Sequence, residues 1–181
     1  MKLNLKKEIV LPEKVFVELQ GAVLKVKGPK GEVQRDFIHP KVKLAVDKSK
    51  ITISSFKATK KEKMALSTFT AHIKGMVKGV VEPFQYKLKI CASHFPMNVS
   101  VSGADFVVKN FLGESVPRKI KLVKGVEVKV NGSDIVVSCA DKEAAGQMAS
   151  RIENLCRITK RDIRVFQDGC YITSKAGKDV I

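Results

Sequence analysis

Apolar side chains recur at about every second position along much of this chain. The runs KVFVELQ (14–20), VLKVKG (23–28) and KITISS (50–55) show this alternation, as do FQYKLKI (84–90), NVSVS (98–102), DFVVKN (105–110), KIKLV (119–123), VEVKV (126–130) and DIVVS (134–138). A period of two is the signature of a strand with one face buried. Gly28-Pro29-Lys30-Gly31, Asp47-Lys48 and Asn131-Gly132 supply turns between the runs, the last a strong hairpin signal. The period changes twice. Leu66, Phe69, Ile73, Met76, Val77 and Val80 form one stripe at three-and-four spacing, with Lys63, Lys74 and Lys78 off it, behind a Thr59/Glu62 capping-box pattern. Ala145, Met148, Ala149, Ile152 and Cys156 form a second stripe, with Asp141 as the expected N-cap. Both stripes read as core packing.

The chain also contains itself twice. GAVLKVKGPKGEV from Gly21 aligns with GADFVVKNFLGES from Gly103, matching Gly21/Gly103, Ala22/Ala104, Val26/Val108, Lys27/Lys109, Gly31/Gly113 and Glu32/Glu114. VDKSKITISS (46–55) aligns with VNGSDIVVSC (130–139) once two inserted residues are allowed. A repeat this long is a domain rather than a solenoid unit. Strands followed by one helix, twice over, predict an α+β protein of two similar tandem domains, each an antiparallel sheet packed by one main α-helix. The boundary is expected at Val81-Glu82-Pro83, where the proline discourages further helix, giving domains 1–82 and 83–181.

Composition narrows the partner. Of 181 residues, 34 are Lys or Arg and 18 are Asp or Glu, a net charge of +16. That excess favours a polyanion. No apolar run is long enough to span a bilayer, and Met1–Val10 lacks the apolar core of a signal peptide, so a cytoplasmic protein is expected. Cys91, Cys139, Cys156 and Cys170 show no paired spacing and read as reduced, mostly buried thiols. The histidines His39, His72 and His94 are far apart and show no metal-ligand spacing. The acids form no obvious catalytic dyad, GPKGE lacks the ending and the helix of a nucleotide loop, and no nucleophile motif is present. Neither an enzyme nor a metal or other cofactor is expected.

The arginines are concentrated. Only six occur beside 28 lysines, and Arg151, Arg157, Arg161 and Arg164 lie within fourteen residues at and beyond the second helix, with Lys160 among them. A guanidinium forks onto phosphate oxygens, and four exceed what capping a helix dipole requires. Asp168-Gly169 then reads as a turn bracketed by Phe166 and Tyr171, each able to stack on a base or to sit in the core. Lys175 and Lys178 follow on what reads as a flexible tail. The cationic stretch lacks the long apolar face of a membrane-surface helix. With few aromatics and no Trp, the surface suits folded, A-form RNA better than a single strand.

SHFPMNV (93–99), NFLGESVPRK (110–119), EAAGQMASRIE (143–153) and ITKRDIRVFQDGCYIT (158–173), together with VKGPKGEVQRDF and AHIKGMVKGV in the first half, closely resemble the family of the sixth protein of the large ribosomal subunit, in its archaeal-type form. The resemblance covers essentially the whole chain. It implies two duplicated α+β domains and no catalysis. It also implies a structural ribosomal role in the cytoplasm, with large-subunit ribosomal RNA bound mainly by the second domain, near the sarcin–ricin loop and the stalk base where translation factors dock. Neighbouring ribosomal proteins, including those of the stalk base, are implied partners; a membrane or a small-molecule substrate is not. Carried onto this chain, the RNA-facing residues are Asn110, Gly113 and Arg118, then Gly146 and Gln147 on the second helix, then the Arg157–Gly169 loop with Gln167. Ser115, Lys119 and Ile163 stand where the family often has a lysine or arginine, which softens those contacts. The alternative is an RNA-binding regulator or chaperone outside the ribosome.

Overall fold

Alternation becomes antiparallel pairing in both halves of the chain. The computed structural model describes residues 3–47 and 49–180, which divide into two compact units, 1–83 and 84–181. In the first unit the strands are β1 (Leu3–Val10), β2 (Phe16–Gln20), β3 (Val23–Gly28), β4 (Gly31–Asp36), β5 (Val42–Val46) and β6 (Lys50–Ala58), followed by helix α1 (Lys60–Val81). They form two three-stranded sheets, ordered β1-β6-β5 and β2-β3-β4. Leu24, Val26, Ile51 and Ile53 from the central strands meet Leu66, Ile73 and Val80 of α1, and all are buried. Burying one such side chain contributes about 1.5–3 kcal/mol.

Helix α1 starts where the capping pattern places it. The Glu62 carboxylate accepts from the Thr59 backbone N–H at 2.8 Å and from the Thr59 hydroxyl. The Gly28–Gly31 turn meets the other end of the helix, with the Lys30 N–H donating to the Val80 carbonyl at 3.0 Å. The Asp47 N–H closes the β5–β6 turn on the Lys50 carbonyl at 2.8 Å. Lys48 of that turn, and Met1, Lys2 and Ile181 of the terminal segments, lie outside the described residues.

The second unit repeats this plan. Its elements are β7 (Phe84–Cys91), β8 (Asn98–Ser102), β9 (Asp105–Lys109), a 3₁₀ turn (Phe111–Gly113), β10 (Arg118–Lys121), β11 (Glu127–Asn131), β12 (Asp134–Cys139), α2 (Lys142–Leu155), β13 (Gly169–Lys175) and β14 (Lys178–Asp179). The order β1-β6-β5 recurs as β7-β12-β11, and β2-β3-β4 recurs as β8-β9-β10. The aligned glycines adopt the same left-handed conformation, φ +63° at Gly21 and +60° at Gly103, in hairpins of equal register (Gln20 opposite Val23, Ser102 opposite Asp105). Asp141 caps α2, accepting from the Glu143 N–H at 2.9 Å. The α2 stripe Ala145, Met148, Ala149, Ile152 and Cys156 is buried against Leu88, Phe106 and Ile135.

The two copies differ in two places. The β3–β4 connection is only Pro29-Lys30, whereas the β9–β10 connection runs from Asn110 to Pro117. The second copy also continues past its helix, and β13 with β14 extends the main sheet at the free edge of β7, giving β11-β12-β7-β13-β14. Both additions belong to the second unit, and they carry most of the residues singled out as RNA-facing.

Candidate nucleic-acid interface

Between Leu155 and Gly169 the chain forms neither helix nor strand. Arg157, Lys160, Arg161 and Arg164 on this loop are all exposed, as are Arg151 and Gln147 on α2. A cationic loop of this length would be mobile unless its ends were held. Two groups hold it.

Arg118 holds the first end. Its guanidinium donates from Nη1 to the carbonyls of Leu155 (2.7 Å) and Arg157 (3.3 Å), satisfying acceptors that the end of a helix leaves open. Its other face grips Glu114 in two places, Nε to Oε2 at 2.8 Å and Nη2 to Oε1 at 2.6 Å. It also stacks 4.2 Å from the centre of the Phe111 ring. The Arg118 partnership holds the Glu114 carboxyl below the usual carboxylate range. The extra β9–β10 loop therefore reaches across to the end of α2. Three residues with positive φ shape it: Asn110 (+57°), Leu112 (+49°) and Gly113 (+80°). Asn110 adds a bond from Nδ2 to the Pro96 carbonyl at 3.0 Å, and a Cβ at Gly113 would lie 3.6 Å from the Phe95 ring.

Asp168 holds the second end. It is not part of a turn: Gly169 already opens β13, and Asp168 is only 3% exposed. Its carboxylate accepts from the backbone N–H of Ser93 (2.5 Å) and of His94 (3.1 Å), and lies 2.5 Å from His94 Nδ1. Burial pushes this carboxyl up, but the His94 and backbone bonds together outweigh that and hold it below the ordinary value. His94 in turn stacks on Phe166 at 4.5 Å between centroids, and the Arg161 guanidinium lies 4.7 Å from the same ring. Phe166 is thus a spacer that carries Arg161, with His94 as its partner. The only sequence signal at His94 is its place in the SHFPMNV block, because its partner Asp168 lies 74 residues further on.

Ser93, His94 and Asp168 have the composition of a hydrolytic triad but not its wiring. Ser93 Oγ and the Asp168 carboxylate both address Nδ1 of His94 (3.1 and 2.5 Å), so the serine has no separate base, and its hydroxyl lies 3.3 Å from the carboxylate itself. The cluster is a clamp between the β7–β8 turn and the loop.

The remaining residues divide. Gly146 is half-buried, and a Cβ there would meet the Tyr86 hydroxyl at 3.1 Å, so its lack of a side chain serves helix–sheet packing. Arg164 is exposed but paired with Asp162 at 2.9 Å. Gln167 is exposed and donates to the Arg164 carbonyl at 3.4 Å. Lys175 and Lys178 are not on a flexible tail: they face each other across the β13–β14 hairpin, turned by Ala176 (φ +51°) and Gly177 (φ +81°). Arg118 and Asp168 are committed to internal bonds and position the loop. The exposed set is Gln147, Arg151, Arg157, Lys160, Arg161, Arg164 and Gln167, with Asn110 and Gly113 on the neighbouring turn and Lys175 and Lys178 on the hairpin.

Two units of one plan, with a pinned basic loop added to the second, define a duplicated α+β class of small protein, and comparison with known proteins makes the class specific. The family model for ribosomal protein L6 matches residues 11–82 and again residues 95–169, one match per unit. The chain is 43% identical over 185 aligned residues to the large ribosomal subunit protein uL6 of Nanoarchaeum equitans (strain Kin4-M), covering 98% of this chain and 96% of the relative. It is 40% identical over 174 residues to the protein of the same name from Methanococcus vannielii, covering 96% of each. The chain belongs to the ribosomal protein L6 family and is a structural protein of the large ribosomal subunit.

Proposed function

We propose that this protein binds large-subunit ribosomal RNA chiefly through its second unit, with the Arg157–Gly169 loop as the main contact and the Asn110–Gly113 turn beside it. The observation that carries the reading is a cluster of exposed cations held at both ends. Arg157, Lys160, Arg161 and Arg164 project from a loop pinned by Arg118 at one end and by Asp168 at the other. Preorganised cations lose little freedom when they meet phosphates, and planar guanidinium groups match phosphate oxygens in pairs. Exposed Gln147 and Arg151 extend the cationic rim along α2. Lys175 and Lys178 add charge at the sheet edge. Docking near the sarcin–ricin loop and the stalk base, with neighbouring ribosomal proteins as further partners, is the expectation the family resemblance supplies.

The mechanism is electrostatic docking on prefolded RNA. Each phosphate neutralised releases condensed counterions, so affinity falls as salt rises, with a slope set by the number of phosphates touched. Specificity comes from RNA shape, because a loop fixed in advance fits one arrangement of phosphates. The first unit carries the larger net charge, 18 cations against 8 acids in residues 1–82, but 17 of those cations are lysines and the arginine cluster is absent from it.

The test is the salt dependence of binding to a large-subunit ribosomal RNA transcript. Replacing Arg157, Arg161 and Arg164 together by Ala is expected to flatten the slope by about two to three units. Removing three lysines from the first unit (Lys14, Lys25 and Lys27 to Ala) is expected to change it by much less. Equal effects from the two triple variants would overturn the assignment to the second unit.

A further inference from the structure

We propose that Cys156 and Cys170 form a reversible disulfide under hydroperoxide oxidants, and that this bond staples the neck of the Arg157–Gly169 loop. The two sulfurs lie 3.7 Å apart, one residue past the end of α2 and one residue inside β13. They flank the loop and enclose nearly all of it. A bond between them ties its two ends covalently, beside the non-covalent pins at Arg118 and Asp168.

Burial alone would make these thiols inert, at 3% and 1% exposed. The structure supplies a way in. A cavity of about 570 Å³ lies against both cysteines, lined also by Ile158, Ile163, Phe166 and Tyr171. It admits a small neutral oxidant such as hydrogen peroxide to the sulfurs. Cys156 is suited to react first. The Cys170 thiol beside it and the nearby Arg118 guanidinium hold it below the ordinary thiol value against the opposing effect of burial. Cys170 is pushed up by the same neighbour and by its own burial, and it keeps its proton.

The chemistry balances. The Cys156 thiolate attacks one peroxide oxygen, the O–O bond breaks, and the departing hydroxide takes a proton to become water. The sulfur of Cys170 then attacks the Cys156 sulfenic sulfur. The S–S bond forms, the Cys170 proton is lost, and the sulfenic hydroxyl leaves as a second water. Two thiols are oxidised and one hydrogen peroxide is reduced. A thiol reductant reverses the step by exchange.

The bond constrains the loop whether or not the loop meets RNA. Its consequence for RNA rests on the function proposed above, but its formation does not. The full-length protein is treated with hydrogen peroxide, blocked with a maleimide and digested with trypsin without reduction. The expected result is loss of two of the four free thiols and of two hydrogens in mass, with the peptide ending at Arg157 linked to the one containing Gly169-Cys170. Dithiothreitol added before the maleimide restores all four thiols. Cys156→Ala and Cys170→Ala each abolish the link while leaving Cys91 and Cys139 alkylatable. Four thiols surviving peroxide, a link between any other pair, or overoxidation of single cysteines without a link would each overturn the proposal. In the oxidised wild-type protein, tryptic cleavage inside the loop is expected to slow several-fold, with the second unit's fragments held together until reduction. If the link forms and RNA binding does not respond to the triple arginine variant, the staple stands and the RNA reading falls.

Discussion

The carboxylate of Asp168 reaches 75 residues back along the chain to the Ser93 N–H and lies 2.5 Å from Nδ1 of the neighbouring His94. One buried acid thereby joins the β7–β8 turn to the start of β13 and fixes the far end of the cationic loop. Asp168→Asn keeps the shape but weakens charge-assisted bonds to two backbone donors and a ring nitrogen. A loss of about 2 kcal/mol is expected, because a buried charged acceptor with several donors contributes more than a neutral one. Both tyrosines, Tyr86 and Tyr171, lie in the second unit and the chain has no Trp, so tyrosine fluorescence during urea unfolding reports that unit alone.

The same residue sets an acid limit. Its native carboxyl is held below the ordinary aspartate value of about 3.9. The unfolded chain therefore binds the proton more readily than the native one. The stabilisation is complete above about pH 4 and disappears as pH falls through the lowered native value. The Asp168→Asn protein is expected to lack this part of the acid-side slope in its tyrosine-detected midpoint. An unaltered slope would show that the carboxylate is not in the bonds described.

Glu62 imposes a comparable limit on the first unit. Hydrogen bonds from the Thr59 hydroxyl and backbone N–H, with lesser help from Lys41, lower its carboxyl to about 2 against burial. Native Glu62 stays ionised where the unfolded chain would protonate, so its contribution is present above about pH 4.5 and lost on the way down to about pH 2. In Glu62→Gln, far-UV circular dichroism should show a destabilised first unit at pH 7 and a flatter acid dependence, while the tyrosine signal stays unchanged.

How much of this was legible follows from which periodicity each residue obeyed. Both helices, their caps and the central strands declared themselves because they bury a full face: Ile51 and Ile53 alternate, and Ala145, Met148 and Ile152 recur at helical spacing. The edge strands β1 and β4 did not. β4 buries Val33 alone, and β1 shows six of its eight residues to solvent. Such strands are fixed by pairing with a neighbour, which no local pattern records. The cationic loop was legible as charge, but Arg118 and Asp168 looked like further polar residues of an interface. Their partners at Leu155, Glu114, Ser93 and His94 are brought together only by the tertiary fold.

Gly28 is a glycine for reasons of space rather than backbone conformation. A Cβ there would lie 2.8 Å from Val80 Cβ, Cγ2 and backbone oxygen, where the β3–β4 turn closes on the end of α1. Gly28→Ala must push the hairpin off the helix and strain the Lys30–Val80 bond. A cost of about 1–3 kcal/mol is expected, as for other overpacked sites. It should appear in the circular-dichroism transition of the first unit. Gly75, where an added Cβ meets nothing within 4 Å, is the matched control, since Gly75→Ala in a helix interior should be neutral or stabilising.

Arg118 separates positioning from contact. If it only pins the loop, Arg118→Lys keeps the charge and loses the fork that spans Glu114, Leu155 and Arg157. A lysine ammonium cannot hold a bidentate carboxylate and two carbonyls in one plane, nor stack on Phe111 as a flat guanidinium does. A stability loss of about 1.5–3 kcal/mol is expected in the tyrosine-detected transition. RNA affinity should fall because the loop is no longer held in one arrangement, yet the slope against salt should stay close to wild type, since no phosphate contact has been removed. Replacing Arg157 alone by Ala should do the reverse: little change in stability, and a slope shallower by about one unit. A slope change in Arg118→Lys as large as that in Arg157→Ala would mean that Arg118 leaves Glu114 and meets a phosphate in the complex.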